Sequence, residues 1–397
     1  GRLSSWLLNF SPDAAAARAR TEQAHADVGK SRVLPNPVLD GSLSNVPLGT
    51  TNPPGLGPSR TFIYGVGLSE TFEPGKRSPR IDAAELRELA ALRDQQATLL
   101  GSLSDARHVL GNAIYARLRT TILRESLDDA ERAAEIERVR LEQQALSGVD
   151  FDRLRVDLNA LRVEFGRTTD DALAAAAECA AVLGAPCDTR GATEAELDAT
   201  SPQGVPPADE ASLANAPALQ SLELEGRASS HDALGARRRA IPDLTVRVGY
   251  TRDNFTISGD NANAVSLSIA LNLPFFDHGQ HDEAKALARR HEVTQARRAQ
   301  LLRARAQLQS LLTHRRSLQN ALTSIERDSL PLSAGVLEAA QRAFDRGGVS
   351  MTDLLVTRRT HIALRLTKLD RHFELFETNN QIRELISADR HELDTKP

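Results

Sequence analysis

From Pro79 to Ala145 the chain carries no further proline and only two glycines, Gly101 and Gly111. A helix over that span measures about 100 Å at ~1.5 Å per residue. Ordinary globular helices are far shorter, so the stretch predicts a coiled coil. Leu89, Leu92, Gln96, Leu99, Leu103, Ala106, Leu110 and Ala113 recur at alternating three- and four-residue steps, with one polar exception. Beyond Ile114 the register loosens and Glu and Arg take over. A second long stretch, Asp282–Arg346, contains Pro331, which is expected to kink or break it. A glycine-bearing turn ends each stretch, and shorter helices, Phe151–Leu183 and Met351–Ile386, are predicted to run back.

The two stretches belong to an internal duplication. Phe72-Glu73-Pro74-Gly75-Lys76-Arg77 precedes the first long helix, and Phe276-Asp277-His278-Gly279-Gln280-His281 precedes the second. Farther on, Ser147-Gly148-Val149-Asp150-Phe151-Asp152-Arg153-Leu154 aligns with Gly347-Gly348-Val349-Ser350-Met351-Thr352-Asp353-Leu354. Gly75 and Gly148 lie 73 residues apart, and Gly279 and Gly348 lie 69 apart. Each half reads helix, strand, strand, long helix, tight turn, helix. The predicted segments of the first half are a helix over 11–34, a β-hairpin over 35–74, and a helical hairpin over 75–185 with its tip at 146–150. A Pro-, Gly- and acid-bearing linker over 186–209 follows. The second half has a helix over 210–240, a β-hairpin over 241–277, a helical hairpin over 278–387 with its tip at 346–350, and a frayed tail over 388–397.

The strands show period-two patterning. Leu244, Val246, Val248 and Tyr250 alternate with Thr245, Arg247, Gly249 and Thr251. Val265, Leu267, Ile269, Leu271 and Leu273 alternate with Ser266, Ser268, Ala270 and Asn272. Phe62, Tyr64, Val66 and Leu68 repeat the theme, and Pro37–Val46 does so more weakly through Leu39 and Leu43. Turn-rich loops, Leu48–Ser59 and Arg252–Ala262, join each pair. Strands of about ten residues suit a membrane barrel.

No stretch offers ~18 consecutive apolar residues, so no helix is expected to cross a bilayer, a test that a β-barrel escapes. A formal net charge of −4 with no concentrated basic face argues against nucleic acid as a partner. Two cysteines exclude a disulfide scaffold and a four-cysteine zinc module. The sequence has no nucleophile elbow, phosphate loop, paired zinc motif or dinucleotide fingerprint, so neither an enzyme nor a cofactor is expected. Gly1–Trp6 lacks the basic start, apolar core and cleavage site of a signal peptide.

Four strands cannot close a barrel, because the smallest closed membrane barrels need about eight. An open sheet would leave edge groups unpaired in hydrocarbon. Other copies of the chain are therefore expected to complete it, three copies of four strands giving twelve. Gly41, Gly65, Gly67, Ser266, Ser268 and Ala270 are assigned to the inner face, where small residues suit a hollow lumen. An oligomeric conduit follows from that shape. A non-transporting coiled-coil scaffold, its β-hairpins packed on themselves, is the alternative from another class.

From about Pro12 to Ile386 the sequence resembles the TolC-type outer membrane factors, the outer membrane efflux protein family. The resemblance rests on Ile241-Pro242-Asp243-Leu244 with Gly249-Tyr250, on Leu271-Asn272-Leu273-Pro274-Phe275-Phe276-Asp277 with Gly279-Gln280, and on Gly347–Leu355. It implies a mostly α fold with a membrane β-barrel: a 12-stranded trimeric barrel in the Gram-negative outer membrane, a helical periplasmic tunnel, and an equatorial domain that includes the 186–209 segment. It further implies a homotrimer in contact with outer membrane lipid, a periplasmic adaptor (membrane fusion protein) and an inner-membrane pump of the RND type. Phe72-Glu73-Pro74-Gly75-Lys76-Arg77 with Arg80 looks like the Gly-Lys-Arg element of the cobalt–zinc–cadmium branch, which makes heavy-metal cations the expected cargo. Drug or small-molecule efflux, or a type I secretion duct, is the alternative within the same fold. Many relatives carry a lipidated N-terminal cysteine, and none stands near Gly1.

The resemblance places adaptor docking at the tips, Leu146, Ser147, Gly148 and Val149 with Gly347, Gly348, Val349 and Ser350. Turn geometry alone would also call for glycine there. Asp353 matches an aspartate near the constricted entrance, where three carboxylates would attract cations; an aspartate also suits the first turn of a helix. Asp150 and Asp152 are weaker candidates of the same kind. His278 and His281 with Asp277, Asp282 and Glu283 form the densest metal-like cluster, but at a strand-to-helix junction such residues serve as caps, and no metal site is expected. Lys76, Arg77 and Arg80 suit lipid headgroups or interhelical salt bridges. Cys179 and Cys187 flank Gly184-Ala185-Pro186 and can close a small loop in an oxidising compartment.

Overall fold

The computed structural model describes residues 2–49, 54, 57–194, 197, 210–255 and 261–391. Much of the expected linker (195, 196 and 198–209), the loop positions 50–53, 55, 56 and 256–260, and 392–397 of the expected tail lie outside the described residues. In chain order the elements of the first half are α1 (Arg2–Phe10), α2 (Pro12–Arg32), β1 (Val38–Ser44), β2 (Ile63–Phe72), α3 (Arg77–Glu142) and α4 (Gly148–Leu183). Those of the second are α5 (Glu210–Ala214), α6 (Pro217–Arg237), β3 (Leu244–Asp253), β4 (Asn263–Leu271), α7 (Gln280–Ser324), α8 (Leu330–Asp345) and α9 (Met351–Leu385). The chain forms two compact units, one of Gly1–Ala19, Arg93–Gln220 and Ala299–Pro397, the other of Arg20–Leu92 and Ser221–Arg298.

The strand-bearing unit holds one antiparallel sheet in the order β1-β2-β3-β4. The two hairpins are joined by β2–β3 pairing, in which Val66 faces Tyr250 and Phe72 faces Leu244. The register puts Leu39, Leu68, Val248 and Leu267 in one row, and Gly41, Val66, Tyr250 and Val265 in the next, on the same face. This apolar face is exposed: Val265 is 76%, Leu267 70% and Leu39 73% accessible. The opposite face carries Gly65, Gly67, Ser266, Ser268 and Ala270. Gly41 does not belong there: opposite Val66, it lies on the apolar face. Gly41 shares the parity of Leu39 and Leu43 on β1, and the pairing with β2 puts all three on that face.

The helices of this unit pack through small side chains, with Ala83, Ala90, Ala228, Ala233 and Ala236 buried. Leu89 and Leu92, assigned to a coiled-coil seam, are exposed here at 48% and 41%. Alanine allows closer helix approach than a leucine seam, so the packing stripe rotates to Ala83 and Ala90. The seam holds farther on, where Leu99, Leu103, Ala106 and Ala113 are buried. Gly75 and Gly279 open the two strand-to-helix junctions at φ +74° and +85°. At Gly279 a Cβ would also run into the Ala236 carbonyl, so only glycine fits.

In the helical unit, α1 lays Leu3, Trp6 and Leu7 on Leu103, Ala106 and Leu183. The expectation of a helix beginning at 11 missed α1. Cys179 and Cys187 form a disulfide beside Val109 and Ala113. Near Pro331 the second long helix is distorted and not ended: a π-turn over Ile325–Ser329 separates α7 from α8, whose second residue is Pro331, and the backbone stays helical through Ser329 and Leu330. Residues 388–391, read as the start of a frayed tail, are held in place instead. Asp389 is 3% exposed and binds both Arg107 and Arg383, themselves buried. Burial alone would push its carboxyl up, but the two guanidiniums outweigh that effect and hold it below the ordinary value near 3.8.

Two stability outcomes follow from this packing. Gly101 has open space where a Cβ would stand, whereas a Cβ at Gly111 would overlap the Phe376 ring. Thermal unfolding should therefore show Gly101→Ala stabilising by about 0.5–1 kcal/mol and Gly111→Ala destabilising by about 1–3 kcal/mol. Asp389→Ala removes the carboxylate that two buried guanidiniums share and should cost about 3–5 kcal/mol. Because the Asp389 carboxyl is depressed, its contribution is complete above pH ~4 and is lost as pH falls through the lower folded value. The stability gap between wild type and Asp389→Ala should thus close on acidification.

The paired hairpin tips as candidate functional site

Both returning helices begin on a serine. Ser147 Oγ accepts from the Asp150 N–H at 3.1 Å and donates to Asp150 Oδ2 at 2.7 Å. Ser350 Oγ accepts from the Asp353 N–H at 3.2 Å and donates to Asp353 Oδ2 at 2.7 Å. Asp353 Oδ2 also accepts from the Ser350 N–H at 3.3 Å, closing a capping box. The cap serines are equivalent, and a left-handed residue lies three positions before each: Gln144 at φ 60° and Gly347 at φ 75°. The Gly148–Gly348 alignment is therefore three residues out of step. Gly148 is the first residue of α4, and the turn of the first tip is made by a glutamine, which no glycine-based reading could find.

The tips share one apolar cluster of Leu154, Phe344, Met351, Leu354 and Leu355, against which Leu146, Phe151 and Val349 pack. Leu146 and Val349 are accordingly half-buried anchors. Ser147, Gly148, Val149, Gly347, Gly348 and Ser350 are exposed, Val149 at 65%. Two arginines of the first hairpin reach the second: Arg153 donates to Thr352 Oγ1 at 3.2 Å, and Arg140 donates to the Asp345 carbonyl at 3.3 Å while lying over the Phe344 ring. Deeper in the stem, Arg359 of α9 binds the buried Asp157 of α4. Burial pushes the neighbouring Arg358 guanidinium below its usual range, against the pull of Asp157 and Asp129.

The three candidate carboxylates differ in their surroundings. Asp150 Oδ1 accepts from Arg153 at 3.2 Å, and Asp152 Oδ1 accepts from Arg155 at 3.4 Å. Asp353 is exposed and, among the described residues, has no cation paired with it; its cap uses one oxygen only. Its charge is therefore the least neutralised of the three.

The junction clusters of the strand-bearing unit are taken up internally. Lys76 Nζ donates to Asp243 Oδ1 at 2.6 Å, Arg77 to the Arg32 carbonyl at 2.8 Å, and Arg80 to Glu73 at 3.0 Å and the Ser31 carbonyl at 3.1 Å. Asp282 is paired with Arg239 and Glu283 with Arg237, while Asp277 caps the Gly279 N–H at 3.0 Å. Among the described residues no group of three or more His, Cys, Asp or Glu is placed to hold a metal ion.

Known proteins are similar to this chain in sequence and in fold. The cobalt-zinc-cadmium resistance protein CzcC of Cupriavidus metallidurans is 27% identical over 372 residues, 91% of this chain and 82% of that one. The nickel and cobalt resistance protein CnrC of the same organism is 24% identical over 283 residues, 71% of this chain and 65% of that one. A crystal structure of CusC superposes with a TM-score of 0.83 at 18% identity, covering 97% of this chain and 91% of that one. Residues 210–388 match the family profile described as outer membrane efflux protein. The second half of the chain thus matches the outer membrane efflux protein family, and 97% of the chain shares the fold of CusC.

Proposed function

We propose that three copies of this chain form the outer-membrane exit duct of a tripartite efflux assembly, and that its cargo is divalent heavy-metal cations. The observation that carries the reading is the two-faced sheet. One face is mostly apolar and exposed, with Glu70 opposite Val246 and Arg252 opposite Tyr64 as its charged members. It is flanked by Tyr64, Tyr250 and Phe255 toward the loop ends and by Phe72, Phe275 and Phe276 toward the helices, Phe276 being 95% accessible. Aromatic bands at both margins of an apolar belt are what a lipid-facing barrel wall requires. The other face is lined by small residues, and β1 and β4 leave two edges for neighbouring copies. The metal-resistance relatives support the cargo.

In this reading the exposed tip residues Ser147, Gly148, Val149, Gly347, Gly348 and Ser350 dock a periplasmic adaptor, and Leu146 and Val349 hold the tips in shape for it. The adaptor connects the duct to an inner-membrane pump of the RND type. Conduction is passive, so no residue is asked to make or break a bond. Contacts between the returning helices, Asp157 with Arg359 above all, favour one arrangement of the hairpins, and adaptor binding favours the arrangement in which they part. Asp353, repeated three times around an axis, forms a ring that attracts cations; Asp150 and Asp152, already paired with arginines, contribute less.

Planar-bilayer conductance of the detergent-purified protein, with its mass measured in parallel, tests the reading. A trimer passing small, cation-preferring currents is expected. A monomer that stays soluble without detergent and never conducts would leave a coiled-coil scaffold. Two variants refine it. Asp353→Ala should raise resting conductance or weaken cation preference, and if neither changes, Asp353 only starts a helix. Val149→Asp should abolish cobalt, zinc and cadmium tolerance in cells while leaving trimer yield and bilayer currents as in wild type; retained tolerance would remove this tip from docking.

A further inference from the structure

The small-residue face of the sheet carries two charges away from its loop end, and they find each other. Arg247 Nε donates to Asp40 Oδ1 at 2.9 Å, and a second guanidinium nitrogen binds Asp40 Oδ2. Asp40 lies on β1 and Arg247 on β3, so the side chain of Arg247 must cross β2. It crosses over Gly67, the register partner of both Asp40 and Gly249. A Cβ on Gly67 would overlap the guanidinium, and one on Gly249 would lie 2.8 Å from Ser266 Oγ and 3.3 Å from Arg247 Nη1. Neither glycine has a positive φ. Their bareness serves the crossing and not the backbone: they form a floor along which the arginine lies flat.

Both charged side chains remain about a third exposed, 35% for Arg247 and 37% for Asp40. A pair so accessible adds little to stability, so stability does not account for a glycine-floored groove built across three strands. The electrical consequence is larger. In a trimer this face lines the lumen, and three unpaired arginines there would repel cations from the wall.

We propose that Asp40 is a positioning residue for conduction: it holds Arg247 flat on the Gly67–Gly249 floor and keeps the barrel lumen electrically neutral at that level. Without Asp40 the same position becomes a ring of free guanidiniums that selects anions. The inference rests on the duct reading, and its test separates the two.

Cys179 and Cys187 are bonded to each other and no free cysteine is present among the described residues, so an introduced thiol is a clean reporter. Ser69, the register partner of Arg247 on the same face, is the site for it. Detergent-purified Ser69→Cys would be reacted with anionic sulfonatoethyl and cationic trimethylammonioethyl methanethiosulfonates, and with neutral N-ethylmaleimide. In the duct reading such reagents reach this face from the loop end of the barrel. In the parent the two charged reagents should react within about threefold of each other. Adding Asp40→Asn should shift their ratio roughly tenfold toward the anionic reagent, and adding Arg247→Gln should shift it as far the other way. Asp40→Glu should restore the parent ratio, as should the neutral double variant. An unchanged ratio in Asp40→Asn or in Arg247→Gln would overturn the inference while leaving the duct intact. Reaction with N-ethylmaleimide but with neither charged reagent would mean that this face never meets water, and the duct reading itself would fall.

Discussion

A backbone hydrogen bond that has nowhere to go governs this molecule. The exposed aliphatic face of the sheet is stable only against hydrocarbon, and hydrocarbon does not tolerate the unpaired N–H and C=O groups of a strand edge. β1 and β4 each present such an edge. The two demands conflict within a single chain and are reconciled only when edge meets edge. In the proposed duct, closure by further copies meets both demands, and the small-residue face becomes its lumen.

The helices solve a different problem with modest materials. Aromatic residues make up 4% of the chain, too few to build thick cores, and the helices instead approach closely over alanine and are fastened by ion pairs between elements. Arg87 with Asp232 and Lys76 with Asp243 do this in the strand-bearing unit, and the buried Arg107–Asp389–Arg383 triad does it in the helical unit. Thin interfaces of this kind depend on each contact, which is why a glycine under Phe376 counts for more than a glycine facing solvent.

Most of the architecture was legible in the sequence because it is periodic. Alternation along β3 and β4, the proline-free run of α3 and the repeated Gly-bearing junctions at Gly75 and Gly279 each have one physical reading. Legibility ended where a residue acts through a partner distant in sequence. Arg247 read only as a polar member of an alternating strand until the register placed it beside Asp40. Asp389 read as tail because nothing local marks it for burial between two arginines. At the tips glycine is not the sign of the turn: the element the two halves share is a serine hydroxyl at the helix start, and one turn manages with Gln144. At Asp353 the sequence suggested both a cap and a free charge, and the contacts show that one carboxylate can serve the first and still leave an oxygen for the second.

The pairing of β2 with β3 is the seam between the two halves of the duplication: the second strand of one hairpin meets the first strand of the next. In the proposed trimer, β4 of one copy meeting β1 of another is a seam of the same type. A ring of three chains is thus also a ring of six similar hairpins, and each chain holds an internal pattern for the join it makes with its neighbours. A half-length ancestor assembling as a hexamer would need only that one seam. Fusing two such halves turns three of the six joins into covalently guided ones, halves the number of bodies that must find one another in the membrane, and lets the halves differ, as the glutamine and glycine turns at the two tips do.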